Sequence, residues 1–136
     1  MTVPLELLRK VDLFDELSDK ELRRLAKSFR ESRFTPGETI AAEGKSGVGF
    51  FVIAEGTVRY SVGGEEKGTG GPGDYFGEVA LIDDGPRTAT VVADGPVTTY
   101  GLTSWEFRPL VEENAEIAWE LLQKMAKRLR AANEET

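Results

Sequence analysis

The spacing of apolar residues changes character twice along the chain. Ser18-Asp19-Lys20-Glu21 matches a capping box, and Leu22, Leu25, Ala26 and Phe29 then recur at helical intervals. This predicts a helix from about Ser18 to Ser28. Leu5, Leu8 and Leu13 predict a shorter helix before it, with Phe14 anchoring the connection. From Arg33 onward the apolar runs become short. Thr35-Pro36-Gly37-Glu38 reads as a turn. Runs at 39–42, 49–54, 57–62, 91–93 and 97–102 read as strands, separated by Gly-containing loops at 43–47, 55–56 and 63–64. Helical spacing returns at Thr103-Ser104-Trp105-Glu106, a second capping box, with Pro109 expected to kink or limit the helix. Asn114 is expected to cap a longer helix to about Ala132, with Ile117, Ala118, Leu121, Leu122, Met125 and Leu129 on its apolar side. The organisation expected is one domain over 1–136. N-terminal helices occupy 1–32, a roll of short strands 33–102, and C-terminal helices 103–133.

Composition narrows the chemistry. The chain has 136 residues, enough for one core, and no Cys or His. A Ser-His-Asp triad, a Cys-His dyad and His- or Cys-based metal centres are therefore excluded, leaving carboxylate or Lys chemistry as the only enzymatic routes. The net charge of −7 disfavours nucleic acid and anionic membranes as partners. No window has the apolar length of a membrane span, and the first residues lack a signal-peptide pattern, so a cytoplasmic protein without membrane insertion is expected.

The run from Phe76 to Thr90 carries the most specific signal. Gly77-Glu78 opens a short apolar turn, Val79-Ala80-Leu81, and Arg87-Thr88 follows after Gly85-Pro86. A carboxylate and a guanidinium flank a cradle of anion size. This run resembles the phosphate-binding cassette of cyclic-nucleotide-binding domains. The resemblance covers nearly the whole chain in the family's order. It includes Leu13-Phe14 with Leu17-Ser18 and Glu21-Leu22, then 34–40, Gly44, 50–58, and the approach Gly71-Pro72-Gly73-Asp74-Tyr75.

The resemblance implies a mainly β fold with flanking helices: an eight-stranded, jelly-roll-type β-roll (a double-stranded β-helix) with a cassette at 76–90 and a C-terminal helical lid. It implies a ligand, cAMP or cGMP, that is bound and not consumed, and no catalytic cofactor. Arg87 would take the phosphate through two parallel hydrogen bonds. Residues 78–81 would form a helical turn whose free N–H groups, those of Val79 and Ala80, face the same anion. Glu78 would accept from the ribose 2′-hydroxyl. Gly77 would supply close packing or a positive φ. The base would lie beside Phe76 and over Val58 or Tyr60, and Leu122, Met125 or Leu129 would close over it. Thr88 bears on base identity: cGMP-selective members often carry Thr here and cAMP kinase subunits often Ala, although other cAMP-binding members carry Ser or Thr. cAMP is favoured, with cGMP the competitor. The family's large aliphatic residue before Pro72 is replaced by Thr69-Gly70-Gly71, so a looser strand and an incomplete base-pocket wall are expected.

Plainer readings stand beside these. Glu78 and Arg87 would make an ordinary surface ion pair outside such a cassette. Thr88 suits a strand through β-branching alone. The Gly68–Gly73 run imitates a phosphate loop but lacks its Lys-Ser/Thr ending. Asp83 and Asp84 read as turn residues before Gly85-Pro86, not as a catalytic pair. The apolar face of the last helix suits core packing, a lid or a homodimer seam. Lys124, Lys127, Arg128 and Arg130 are explained by the helix macrodipole. About four residues follow the last helix, so a DNA-binding module is not expected, and output would pass to a partner, a second copy or a parent chain. The reading is a cyclic-nucleotide receptor and not an enzyme. The alternatives are a degenerate structural domain of the same fold and a small catalyst on a cupin-like roll.

Overall fold

The computed structural model describes residues 3–44, 49–77, 80–83 and 87–134. Three short helical pieces lead the chain: α1 (Leu5–Arg9), a 3-10 turn (Asp12–Phe14) and α2 (Asp19–Ala26). The capping box at α2 is complete. Ser18 Oγ accepts from the Glu21 N–H at 3.2 Å, and Glu21 Oε1 accepts from the Ser18 N–H at 2.9 Å.

Six antiparallel strands follow among the described residues: β1 (Arg30–Phe34), β2 (Thr39–Ala41), β3 (Phe50–Val62), β4 (Glu65–Gly70), β5 (Tyr75–Phe76) and β6 (Thr90–Leu102). The central pair is β6 and β3, flanked by β1 and β4, with β2 on β6 and β5 on β3. The runs expected as separate strands at 49–54 and 57–62 are one strand, as are those at 91–93 and 97–102. The β3–β6 register shifts between Ile53 and Thr57, and these irregularities divide each long strand into two arms. One arm pairs with β1 and β5, the other with β2 and β4. The eight strands expected of a roll thus appear as six, two of them bent.

The two arms serve two cores. Phe50, Val52, Tyr100 and Leu102 face the helices, beside Leu8, Phe14, Leu22 and Leu25. Phe14 meets Phe50 edge-on, ring centroids 5.7 Å apart. Ile53, Val58, Val91, Ala93 and Val97 fill the roll's interior. An aromatic row borders that interior: Phe51 stacks on Phe76 at 5.3 Å, and Tyr60 meets Phe76 edge-on at 6.1 Å.

The chain closes with α3 (Ala80–Asp83), α4 (Ser104–Glu113) and α5 (Ala115–Glu134). Thr103 caps α4 with the expected box to Glu106. Pro109 lies inside α4, which continues to Glu113. Asn114 precedes α5, but its side chain serves other partners: Nδ2 donates to the Leu110 carbonyl at 2.7 Å, and Oδ1 accepts from Arg24. No helix among the described residues is long and apolar enough to cross a membrane.

Candidate anion-binding site

Arg87 precedes β6 and is half-buried. Its backbone carbonyl accepts from the Gly44 N–H at 2.9 Å. The loop before Gly44 is itself stapled. The Glu43 N–H donates to Thr90 Oγ1 at 3.1 Å, and the Glu43 carboxylate accepts from the Gly63 N–H at 3.0 Å. The Arg87 side chain turns toward β5, where its guanidinium donates to the Gly49 carbonyl. Burial pulls the guanidinium down from its ordinary value, yet arginine keeps its charge at neutral pH. Among the described contacts the guanidinium has this one carbonyl partner, and its remaining N–H donors suit charge-assisted bonds to an anion.

Gly77 completes this side of the cradle. Its φ is +86°, a conformation that L side chains rarely adopt. A Cβ here would lie 2.7 Å from the Gly49 oxygen and would collide with the Arg87 guanidinium. Both reasons anticipated for this glycine, close packing and positive φ, therefore apply. Gly49 is just as confined: a Cβ on it would collide with the Leu102 carbonyl and lie 3.1 Å from Thr103 Cα. Arg87, Gly49 and the N-cap of α4 are consequently in one chain of contact.

The structure brings together only some of the residues singled out in the sequence. Gly77, Phe76 and Arg87 share the cradle's edge, and Thr88 is exposed beside it. Glu78 and Val79 lie outside the described residues. α3 is described over Ala80–Asp83, and the expected turn at 78–81 lies partly outside the described residues. Tyr60 is half-buried near Phe76. Val58 is fully buried in the roll's interior, so its side chain packs the core and offers no surface to a base in this conformation. Leu122 and Met125 are not over the roll. They line a groove of about 630 Å³ with Leu81 and Ile82 of α3 and with Trp105 and Phe107 of α4. Leu129 is 64% exposed.

Gly70 is not a gap in the wall. It is buried and pairs with Val58, and a Cβ on it would lie 2.5 Å from Tyr60 Oη and 3.0 Å from the Tyr60 ring. The Tyr60 ring covers the glycine from the diagonal position and takes the volume of the missing aliphatic side chain. The expected looseness is corrected accordingly.

A model of the cyclic nucleotide-binding domain matches residues 31–114. The chain belongs to the cyclic nucleotide-binding domain family. It is 42% identical over 88 residues to a cGMP-dependent protein kinase of Toxoplasma gondii, covering 65% of this chain and 9% of the kinase. The chain thus spans a small part of such relatives. Its fold is similar to the crystal structure of the N-terminal domain of a transcriptional regulator from Streptomyces coelicolor A3(2), with a TM-score of 0.88, 32% identity, and coverage of 95% of this chain and 94% of that one. It is also similar to the regulatory domain of Toxoplasma gondii PKA in co-crystal with cAMP, with a TM-score of 0.72, 30% identity, and coverage of 91% and 48%.

Sequence reasoning missed one feature near the site. The cations of α5 reach across to the 3-10 turn and the residues after it. Lys124 Nζ lies 2.7 Å from Asp15, 3.6 Å from Asp12 and 3.8 Å from Glu16. Lys127 pairs with Glu16 and Arg128 with Asp12, each at 3.2 Å. The hydrogen bond that Lys124 donates to Asp15, then the flanking charges, raise the Lys124 ammonium above its ordinary value despite burial. These cations are a latch for α5 rather than a macrodipole effect. The opposed charges of Asp12-Asp15-Glu16 and Lys124-Lys127-Arg128 were the available signal.

Proposed function

We propose that this domain is a receptor that binds a cyclic purine mononucleotide without turning it over, with cAMP favoured and cGMP its competitor. The observation that carries the reading is the Arg87 guanidinium held against the Gly77 backbone, half-buried and bonded to a carbonyl alone among the described contacts. A nucleotide phosphate would replace the Gly49 carbonyl with two charge-assisted hydrogen bonds. Glu78 would accept from the 2′-hydroxyl, with Val79 and Ala80 supplying N–H groups to the phosphate and Thr88 at the site's exposed edge. Tyr60 and Phe76 offer aromatic surface for the base. The relatives support both bases, since one is a cGMP-dependent protein kinase and another a regulatory domain in complex with cAMP.

Signalling would run through helices already in contact. Phosphate binding would free the Gly49 carbonyl, and the Gly49 backbone is itself confined by Leu102 and by Thr103, the N-cap of α4. Leu81 of α3, Phe107 of α4 and Ile117 and Leu121 of α5 share one core, so a shift at the cassette changes the seat of α5. The Lys124 latch biases α5 toward the N-terminal helices, and the ligand shifts the population away from that seat. The degenerate, nucleotide-free alternative rested on Gly70, and the Tyr60 ring over that residue leaves it without a specific observation in its favour.

The receptor reading is tested by incubating the protein with cAMP or cGMP and separating bound from free nucleotide by dialysis, then recovering the ligand by chromatography. Saturable retention with the nucleotide recovered unchanged is expected. Conversion to a noncyclic product would make the domain an enzyme, and no retention of either ligand would overturn the reading.

A further inference from the structure

The outward face of α2 is cationic, although the chain as a whole carries −7. Lys20, Arg23, Arg24 and Lys27 are all exposed. At 3.6 residues per turn they fall within an arc of about 100°, opposite the buried Leu22, Leu25 and Ala26. The carboxylates of this helix lie beyond the two borders of the arc, and both are engaged elsewhere. Asp19 pairs with Arg9, and Glu21 accepts from the Ser18 N–H in the capping box. Arg24 donates to Asn114 Oδ1, whereas Lys20, Arg23 and Lys27 have no ion pair among the described residues. The helix dipole accounts for Arg23 and Arg24 in the last turn, but Lys20 stands in the first turn, at the positive end. Lys20 with Arg24 and Arg23 with Lys27 are like-charge pairs four residues apart, which disfavour a helix. The stripe thus works against the stability of α2, and nothing described inside the chain offsets it.

We propose that this stripe docks a short acidic peptide segment of a partner protein, lying along Lys20, Arg23 and Lys27. Charge complementarity calls for an anion, and the surroundings choose which one. From Lys20 to Lys27 the helix advances about 10 Å, which matches three or four residues of extended chain. Outside the stripe the surface turns acidic. Glu116 and Glu120 of α5 line the cavity into which Lys20 and Arg24 also face. A nucleic acid duplex or an anionic vesicle would run past the stripe onto this acidic ground and meet the repulsion of the whole chain. A segment of about four carboxylates stays within the stripe. The same α5 carboxylates turn it away from Arg24 and toward Arg23 and Lys27. There the planar guanidinium of Arg23 can grip one carboxylate through two parallel hydrogen bonds, and the flanking ammonium groups serve as point charges. This inference does not rest on nucleotide binding.

Fluorescence anisotropy tests this on the whole chain without nucleotide. The probe is a fluorescein-labelled peptide of consecutive glutamates, about four, flanked by serines. Saturable binding is expected at about 50 mM salt, weakening about tenfold or more by about 300 mM. Arg23→Glu with Lys27→Glu should abolish it. Arg23→Gln with Lys27→Gln removes the charges without reversing them and should weaken binding about tenfold. Both positions are exposed, and the neutral pair keeps good helix formers, so the fold survives at least the second change. Arg59→Glu with Lys67→Glu makes the same change in net charge on β3 and β4, and should leave affinity within about twofold. An equal loss in that control would overturn the proposal, as would the absence of saturation by about 1 mM peptide at low salt. A labelled DNA duplex and phosphatidylserine vesicles are the competing arms. Tighter binding of either than of the peptide, lost in the charge-reversed pair, would overturn the choice of occupant.

Discussion

The guanidinium of Arg87 fills the space that a side chain at Gly77 would need. These residues are ten positions apart in sequence and meet because Gly77 follows β5, which pairs with the first residues of β3 next to Gly49, and the Arg87 side chain reaches the Gly49 carbonyl. Gly77→Ala therefore has two effects. It strains a φ of +86°, costing about 1–2 kcal/mol, and it expels Arg87 from its place. Arg87→Ala removes the cation alone. Thermal melts should show Gly77→Ala clearly less stable than the unmodified chain and Arg87→Ala close to it, while both lose nucleotide. Equal stability for all three would contradict the packing described here.

Tyr60 and Gly70 share one volume. Gly70→Ala should destabilise the roll by about 1–3 kcal/mol through overpacking, because the methyl group would press on the Tyr60 ring. Shortening the ring in the same chain, with Tyr60→Leu, should recover part of that loss. Urea unfolding of the two single variants and the double variant measures the coupling. Strictly additive effects would mean that the two side chains do not compete.

Lys124 sits among three carboxylates with its side chain only 10% exposed. Lys124→Met keeps the aliphatic stem and leaves Asp12, Asp15 and Glu16 facing α5 with less compensation. Its carboxylate partners are 41–52% exposed, so the cost is expected at about 1–2 kcal/mol, below that of a fully buried pair. Amide hydrogen exchange should quicken in α5 before it quickens in β3 or β6. Unchanged exchange in α5 would rule out the latch.

Glu120 faces Glu21 across the junction of α2 and α5, with Glu116 and Glu16 nearby. Its Oε2 is enclosed and accepts no hydrogen bond among the described groups. Burial first, then the Glu21 charge and its proton-sharing hydrogen bond, raise the Glu120 carboxyl above the usual range. A carboxyl raised on folding stabilises the fold fully below its unfolded pKa and loses that contribution as pH rises through its folded pKa. Docking of α5 should therefore weaken as pH rises from about 4 toward neutrality. Glu120→Gln, which cannot ionise, should raise the melting temperature at neutral pH and flatten its dependence on pH over that range. Melting curves at a series of pH values decide this, and a steeper dependence in the variant would contradict it.

The parts written locally in the chain were readable from it. Both capping boxes form as their four-residue patterns require, and the apolar runs at 49–54 and 97–102 lie in strands as expected. Gly77 and Arg87 were legible because a glycine before a cassette and a guanidinium after it have few other uses together. The bends within β3 and β6 were not, since Glu55-Gly56 and Gly95-Pro96 satisfy a turn as well as a bulge. Only the partner strand distinguishes the two. Tyr60 over Gly70 depends on strand register, which composition does not set. The Lys124 latch joins residues more than a hundred positions apart, and the cation that makes it also fits a simple macrodipole account.

Calorimetric titration of cAMP and cGMP into the unmodified chain and into Arg87→Ala tests the central claim most directly. The account predicts saturable binding of at least one nucleotide by the unmodified chain, and a loss of about 2–5 kcal/mol in the variant, or roughly thirtyfold or more in Kd. Heats that are negligible for both proteins, or an affinity that survives the loss of the guanidinium, would contradict it.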